Sequence, residues 1–298
     1  MCATKLNPKY KGILFILASA FCFACMNACV RMAGDVPTFQ KSFFRNFVAL
    51  IIAVATLLRE GKGFRPASPK NWKYLLARAF CGTVGILCNF YAVDHLLLSD
   101  ASMLNKMSPF FAIIVSFFLL HERLTLVQLG SVLGAFVGAL FIIKPTLSNL
   151  DLIPSLIGLL GGLGAGIAYS FVRLMGQKGE RGSYIVFVFS AFSCVVTLPY
   201  FLAVHAPMTL SQVLWLVGAG AFGAGGQFGI TAAYCCAPAR ELSVYDYSQV
   251  IFAAVIGFLL FGDRPDVFSF IGYVLIIGMA ALTFWYNNYY LPHRELVH

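Results

Sequence analysis

Two stretches decide how this chain is read: SDASMLNKMSPFFAIIVSFFLLHER, from Ser99 to Arg123, and RELSVYDYSQVIFAAVIGFLLFGDR, from Arg240 to Arg264. Laid on one another, Asp100 falls on Glu241, Ser102 on Ser243, Asn105 on Asp246, Pro109 on Val250 and Glu122 on Asp263. An acid-arginine pair closes an apolar run in both. The register extends outward, so that Leu75–Leu140 and Leu216–Leu282 read as two copies of one segment. Val30-Arg31-Met32 matches Val172-Arg173-Leu174 at nearly the same offset. A duplicated membrane unit is a mark of secondary transporters.

That the unit belongs in lipid follows from composition. The chain is 60% hydrophobic and 11% charged, with a mean hydropathy of +0.83, whereas soluble domains carry roughly a quarter charged residues. Runs of about 20 apolar residues cross a bilayer, which predicts ten spans near 12–34, 37–58, 72–97, 99–120, 125–143, 153–175, 182–204, 210–236, 241–262 and 266–287. The fold class is therefore all-α membrane protein. Five spans per half is an odd number, so the second copy enters from the opposite side. The expectation is two inverted five-helix repeats, residues 1–146 and 147–298, with the substrate site between them near the midplane.

A net charge of +9 raises the question of nucleic acid, but its distribution excludes that partner. With the N-terminus inside, Lys5, Lys9, Lys11, Arg59, Lys62, Arg65, Lys70, Lys73, Arg123, Lys178, Arg181, Arg240 and Arg294 gather on the cytoplasmic side. This is the positive-inside pattern, and it places both termini in the cytoplasm. Ala18-Ser19-Ala20 looks like a signal-peptidase site after a basic start, yet the apolar run continues to Val30, so span 1 is read as retained. Short loops suit a bacterial plasma (inner) membrane.

Cys22, Cys25 and Cys29 share a helix face and suit either a metal or redox site or small apolar packing. No second ligand cluster supports the former, and no structural disulfide, metal or cofactor is expected. The five histidines, at 95, 121, 205, 293 and 298, are scattered. No nucleophile elbow or phosphate loop occurs, which argues against an enzyme.

Asn89-Phe-Tyr-Ala-Val-Asp-His-Leu-Leu-Leu-Ser-Asp-Ala-Ser-Met-Leu, then Ser108-Pro109, then Leu120-His-Glu122-Arg123-Leu, resembles the EamA-type drug/metabolite transporter pattern. The shared marks are an aromatic-Ala pair on span 3, a small-residue start to span 4, a mid-helix proline and a terminal Glu-Arg. The second copy departs in Val250 and Asp263. The resemblance implies a ten-helix transporter without ATP-binding domains, cytoplasmic termini, and a cavity lined mainly by spans 1, 3, 4, 6, 8 and 9. It also implies cargo among amino acids, nucleotide-linked compounds and other small organic metabolites.

Charges within spans are functional hypotheses by default. Lys106 and Asn105 sit just before Pro109, where a kink frees carbonyls; Lys106 suits substrate contact, snorkelling or an internal ion pair. Asp246 is the repeat mate of Asn105, and a Lys106–Asp246 pair across the pseudo-twofold neutralises both. Arg45 suits either an anionic substrate group or backbone carbonyls at an outer gate. Arg78 and Arg173 lie near span ends and read as snorkelling anchors. Tyr91, Tyr169 and Tyr245 fall on cavity spans, as does Tyr234, and form either an aromatic box or ordinary packing. The candidate substrate-binding set is Lys106, Asn105, Tyr91, Asn89, Tyr169, Gln227, Tyr245, Asp246 and Arg45. Mixed charges favour a zwitterionic, amino acid-like or amphipathic cargo, with an organic anion or a nucleotide-linked (adenosyl) metabolite as the alternative. Gly130, Gly134 and Gly138 make a smooth stripe on span 5 that suits either span 10 or a second copy of the chain, so a monomer or a homodimer is expected. Glycines on spans 6 and 8 suit tight packing or bending.

Overall fold

The computed structural model describes residues 8–61, 63–120, 125–143, 152–204, 206–236 and 245–290, and every regular element among them is helical. The helices are α1 (Pro8–Met32), α2 (Thr38–Glu60), α3 (Trp72–His95), α4 (Leu98–Asn105), α5 (Ser108–Leu120), α6 (Leu126–Ile143), α7 (Leu152–Gln177), α8 (Gly182–Ala203), α9 (Leu210–Cys236), α10 (Ser248–Phe261) and α11 (Val267–Trp285). Helices are what an apolar chain must form in lipid, where each backbone N–H and C=O has to find its partner within the segment. Seven elements are long and apolar enough to cross a bilayer. Glu122, Arg123, Arg240, Glu241 and Ser243 of the repeat register, and the side chain of Tyr234, lie outside the described residues.

The fourth span is two helices, where the pattern alone reads as one run. α4 ends at Asn105, Lys106 takes a near-bridge conformation (φ −75°, ψ 6°), and α5 starts at Ser108. Pro109 lacks an N–H and is tolerated only in a helix's first turn. A continuous helix is therefore interrupted upstream and restarts with Pro109 in place. Phe110 and Phe111 both donate to the Met107 carbonyl, at 3.0 and 3.2 Å. The equivalent place in the second copy behaves alike without a proline. Tyr245 and Asp246 are helical, Tyr247 is a turn residue, and α10 begins at Ser248.

α1 packs along α9, α3 along α7, α2 along α8 and α6 along α11. Lesser contacts join α1 to α10, α7 to α4 and α5, α2 to α9, and α3 to α8. Small residues permit the closest of these approaches. A methyl added at Gly164 on α7 would lie 2.9 Å from the Gly85 Cα of α3. One at Gly272 on α11 would lie 2.7 Å from the Gly138 carbonyl of α6, and one at Gly134 2.7 Å from Met279 Sδ. Gly162 and Gly166 bring α7 onto the broken helix, 2.6 Å from the Leu104 and Ser108 carbonyls by the same measure. Gly130 touches nothing.

Two polar clusters pin opposite faces of the bundle. On the face where α1 and α3 end, the buried Asp263 carboxylate meets Arg31 at 2.6 Å and accepts from the Leu98 N–H that opens α4, at 3.0 Å. Gly262 makes that reach: its left-handed backbone (φ 69°) lets Gly262 and Asp263 return hydrogen bonds to Phe258 and Gly257, a left-handed helix stop that favours glycine. Beside it, the Tyr273 hydroxyl donates to Asp100 at 2.6 Å and Lys41 pairs with Asp94 at 2.5 Å. These residues edge a cleft of about 360 Å³ lined by Arg31, Asp94, His95, Asp100, Arg264 and Asp266. On the opposite face, buried Glu180 accepts from the Ala67 N–H, at 3.0 Å, and from Asn71 at 3.1 Å. Arg181 donates to the Gly63 and Arg65 carbonyls, 2.9 Å each. The stretch from Gly63 to Asn71 is thereby tied to the turn between α7 and α8.

Candidate functional site

The two helix breaks meet at the centre. Lys106 Nζ lies 2.6 Å from Asp246 Oδ1, with both side chains almost wholly enclosed. The Tyr247 hydroxyl donates to the Lys106 carbonyl at 3.0 Å, the kind of acceptor that a helix end leaves without an intrahelical partner. Because 105 and 106 register with 246 and 247, the junction is built by corresponding positions of the two copies.

Beside this junction lies a cavity with about 70 Å³ of room for water-sized molecules. Its wall takes Phe23, Met26 and Asn27 from α1, Arg45 from α2, and Arg78, Gly82, Gly85, Ile86 and Asn89 from α3. Asn105 and Lys106 come from the broken helix, Ala165, Ala168 and Tyr169 from α7, Phe189 from α8, Gln227 from α9 and Gln249 from α10.

Asn89 donates to the Asn27 carboxamide oxygen at 3.1 Å. The remaining atoms of that pair, Asn27 Nδ2 and Asn89 Oδ1, are buried without a protein partner, and so is Gln227 Nε2. Such groups cost roughly 1–3 kcal/mol each when nothing satisfies them, so their presence marks a wall that faces a solute or water. Arg45 donates to Asn46 at 2.7 Å and to the Gly223 carbonyl at 3.3 Å, with Nε left over. Arg78 sits 3.8 Å above the Phe189 ring centre, and its Nε and Nη1 have no hydrogen-bond partner. The Arg45 guanidinium approaches the same ring at 5.6 Å. Both arginines use a missing side chain: a methyl on Gly82 would collide with Arg78 Nη1 at 2.9 Å, and one on Gly223 with Arg45 Nε at 2.6 Å. Gly82 and Gly223 are themselves in register between the copies.

Of the sequence candidates, Lys106, Asn105, Asn89, Tyr169, Gln227 and Arg45 line the cavity, and Asp246 joins it through Lys106. Two do not. Tyr91 stacks on His95, ring centres 4.2 Å apart, and Tyr245 packs edge-on against Phe284 at 6.2 Å. Arg78 does not snorkel. It is 2% exposed and its guanidinium runs inward past Gly82. The set read from the pattern lacked Arg78, Asn27, Gln249 and Phe189. Arg78, a charge within a span, reads as an anchor by its distance from the helix end; Asn27, a polar residue in an apolar run, carries the same signal, and Phe189 carries none. Cys22 and Cys29 pack toward Gly225 and Gly218 of α9, at 3.2 and 3.6 Å from an added methyl.

A membrane-embedded helical bundle with a polar, charged cavity at the meeting of two interrupted helices defines a polytopic membrane protein with an internal polar cavity. The chain belongs to the EamA-like transporter family, whose profile matches residues 10–144 and again 156–285; it is a membrane transporter and not an enzyme. It is 30% identical over 268 residues to the pseudopaline exporter CntI of Pseudomonas aeruginosa, covering 89% of this chain and 93% of that one. It is 25% identical over 272 residues to the riboflavin transporter of Brucella anthropi, covering 89% and 95%. It is 23% identical over 313 residues to human solute carrier family 35 member G1, covering 96% and 85%. A solved crystal structure, 16% identical, superposes with a TM-score of 0.69 over 91% of this chain and 96% of the other, a likeness of fold alone.

Proposed function

We propose that this chain is a secondary transporter that moves a small organic metabolite across a bacterial inner membrane by alternating access. Its two five-span units, residues 1–146 and 147–298, lie inverted about the cavity, and both termini face the cytoplasm. The observation that carries this is the exchange symmetry of the helix contacts. Renumber each span as its mate in the other copy: the α1–α9 contact becomes the α7–α3 contact, α1–α10 becomes α7 with the broken helix, and α2–α9 becomes α8–α3, while α2–α8 and α6–α11 map onto themselves. Such exchange is what an inverted pair requires, and it supplies two equivalent conformations that open to opposite sides. The basic residues of the inner loops support the orientation. α11 covers Gly134 and Gly138 of the α6 stripe and leaves Gly130 open, which supports a monomer or a homodimer.

The relatives' cargoes, pseudopaline in one and riboflavin in another, differ enough that the likeness supports transport of an organic solute without naming it. Among the proposed substrate-binding residues, Asn89, Asn105, Tyr169, Gln227 and Arg45 face the cavity, and the Lys106–Asp246 pair holds its two broken helices together.

Alternating access is tested without knowing the cargo. Asn89→Cys is placed in a chain whose nine native cysteines are replaced by Ser or Ala. The expected result is reaction with a membrane-impermeant thiosulfonate added to right-side-out vesicles and also to inverted vesicles. Labelling from one side only, under all conditions, would leave a pore or a static pocket and end the carrier reading.

A further inference from the structure

Among the described residues, the cavity wall carries more positive charge than its neighbours neutralise. Lys106 is matched by Asp246 at 2.6 Å. Among the described residues Arg45 and Arg78 are matched by no carboxylate; their contacts there include an amide oxygen, a backbone carbonyl and the face of Phe189. They are 1% and 2% exposed, and between them three N–H-bearing nitrogens (Arg45 Nε, Arg78 Nε and Nη1) have no partner. A lysine so placed could lose its proton, but a guanidinium cannot. Removing a charge from water without a counter-charge is costly, so this wall is built for a solute that brings the missing negative charge.

We infer that the solute is a small organic dianion, with one acidic group held at Arg45 and one at Arg78, beside Phe189. This rests on the transporter reading above and narrows it to a charge class. The two guanidiniums lie no further apart than the sum of their distances to one ring, 5.6 and 3.8 Å, a separation a short dicarboxylate bridges. Arginine suits the task because its fork presents parallel donors to a carboxylate or phosphate. The spare amide groups of Asn27, Asn89 and Gln227 then meet the polar body of the solute. The acid and the ammonium that suggested a zwitterion pair with each other at 2.6 Å, so the charge left over on this wall is that of the two arginines.

The test uses isosteric probes on the purified full chain in nanodiscs. Thermal stabilisation is titrated with malonate, succinate and glutarate, with succinamate, with succinamide and with 1,4-diaminobutane; sodium chloride and sodium phosphate serve at matched ionic strength. The expected result is saturable stabilisation by at least one of the dicarboxylates, less by succinamate, and none by succinamide or the diamine. Arg45→Gln and Arg78→Gln should each weaken that binding by about 30-fold or more, the loss expected when one partner of a buried charge pair is removed. A second readout separates binding from structure. Because Arg78 is an uncompensated charge, Arg78→Met should melt no lower than the parent without ligand, while losing the dicarboxylate response. The inference is overturned if none of the three dicarboxylates stabilises the parent. It is equally overturned if succinamide or chloride does so as well as they do, if the arginine variants keep the response, or if Arg78→Met melts markedly lower. Two-sided labelling of Asn89→Cys that persists alongside such a failure removes the dianion and leaves the carrier standing; one-sided labelling removes the carrier itself.

Discussion

Lys106 and Asp246 form the most enclosed ion pair described in the chain, 2.6 Å apart with side-chain exposures of 3% and 1%. Breaking such a pair from one side leaves a bare charge and costs about 3–5 kcal/mol, whereas replacing both partners by apolar groups is often neutral. Lys106→Met and Asp246→Asn should therefore each lower the melting transition steeply, and Lys106→Met combined with Asp246→Leu should recover most of the loss. A double variant as unstable as the sum of the singles would show that the two groups are not coupled. The repeat register offers this pair as one of three readings of Lys106, because an acid and a base at neighbouring equivalent positions of two inverted copies fall near one axis; the contact itself is a tertiary fact. Other site residues were less legible. Tyr91 and Asn89 are two positions apart on α3, yet only Asn89 faces the cavity, because a rotation of about 100° per residue separates wall from flank and an all-apolar surround hides which face is which. Arg78 shows a second limit. Its distance from the helix end suggests snorkelling, but a long side chain can run either way along the helix, and the gap at Gly82 that turns it inward is a tertiary fact.

At the scale of the element, the proline explains one helix break and nothing local explains the other. Pro109 marks the interruption before α5, while the turn at Tyr247 precedes Val250, an ordinary helix former in lipid. What holds the second break is its partner: the Tyr247 hydroxyl satisfies the Lys106 carbonyl. Each break is thus stabilised across the axis, which is why a sequence window centred on residues 241–262 reads as one uninterrupted span. The opposite end of α10 depends on a local rule instead. Gly262 sits at φ 69°, where an L side chain costs roughly 1–2 kcal/mol. Gly262→Ala should lower stability by about that amount, measured by denaturant titration in detergent. Open space around Gly262 means the loss is backbone strain and not a clash, so Gly262→Asn should lose less than Gly262→Ala. Equal losses would point to a contact instead.

For the whole molecule, the transporter proposed above would use the two pinned faces as its barriers, and each is held by its own cluster of charged and polar groups. One face is held by charge: Arg31 with Asp263, Asp263 on the α4 N-terminus, Lys41 with Asp94, and Asp100 under Tyr273. The other is held by Glu180 gathering the Ala67 and Asn71 donors. In a two-state carrier, weakening one barrier favours the conformation open on that side, and each 1.4 kcal/mol of bias changes the ratio tenfold. Asp263→Asn keeps an acceptor for the Leu98 N–H and removes the pairing with Arg31. In the labelling assay it should raise the rate at Asn89→Cys from the face where α1 ends, and lower it from the other, by about tenfold each. Glu180→Gln should do the reverse. The opposed signs matter, because general loosening of the bundle raises both rates for either substitution. If both variants move the two rates in the same direction, the clusters are ordinary surface stabilisation and the gates lie elsewhere in the bundle.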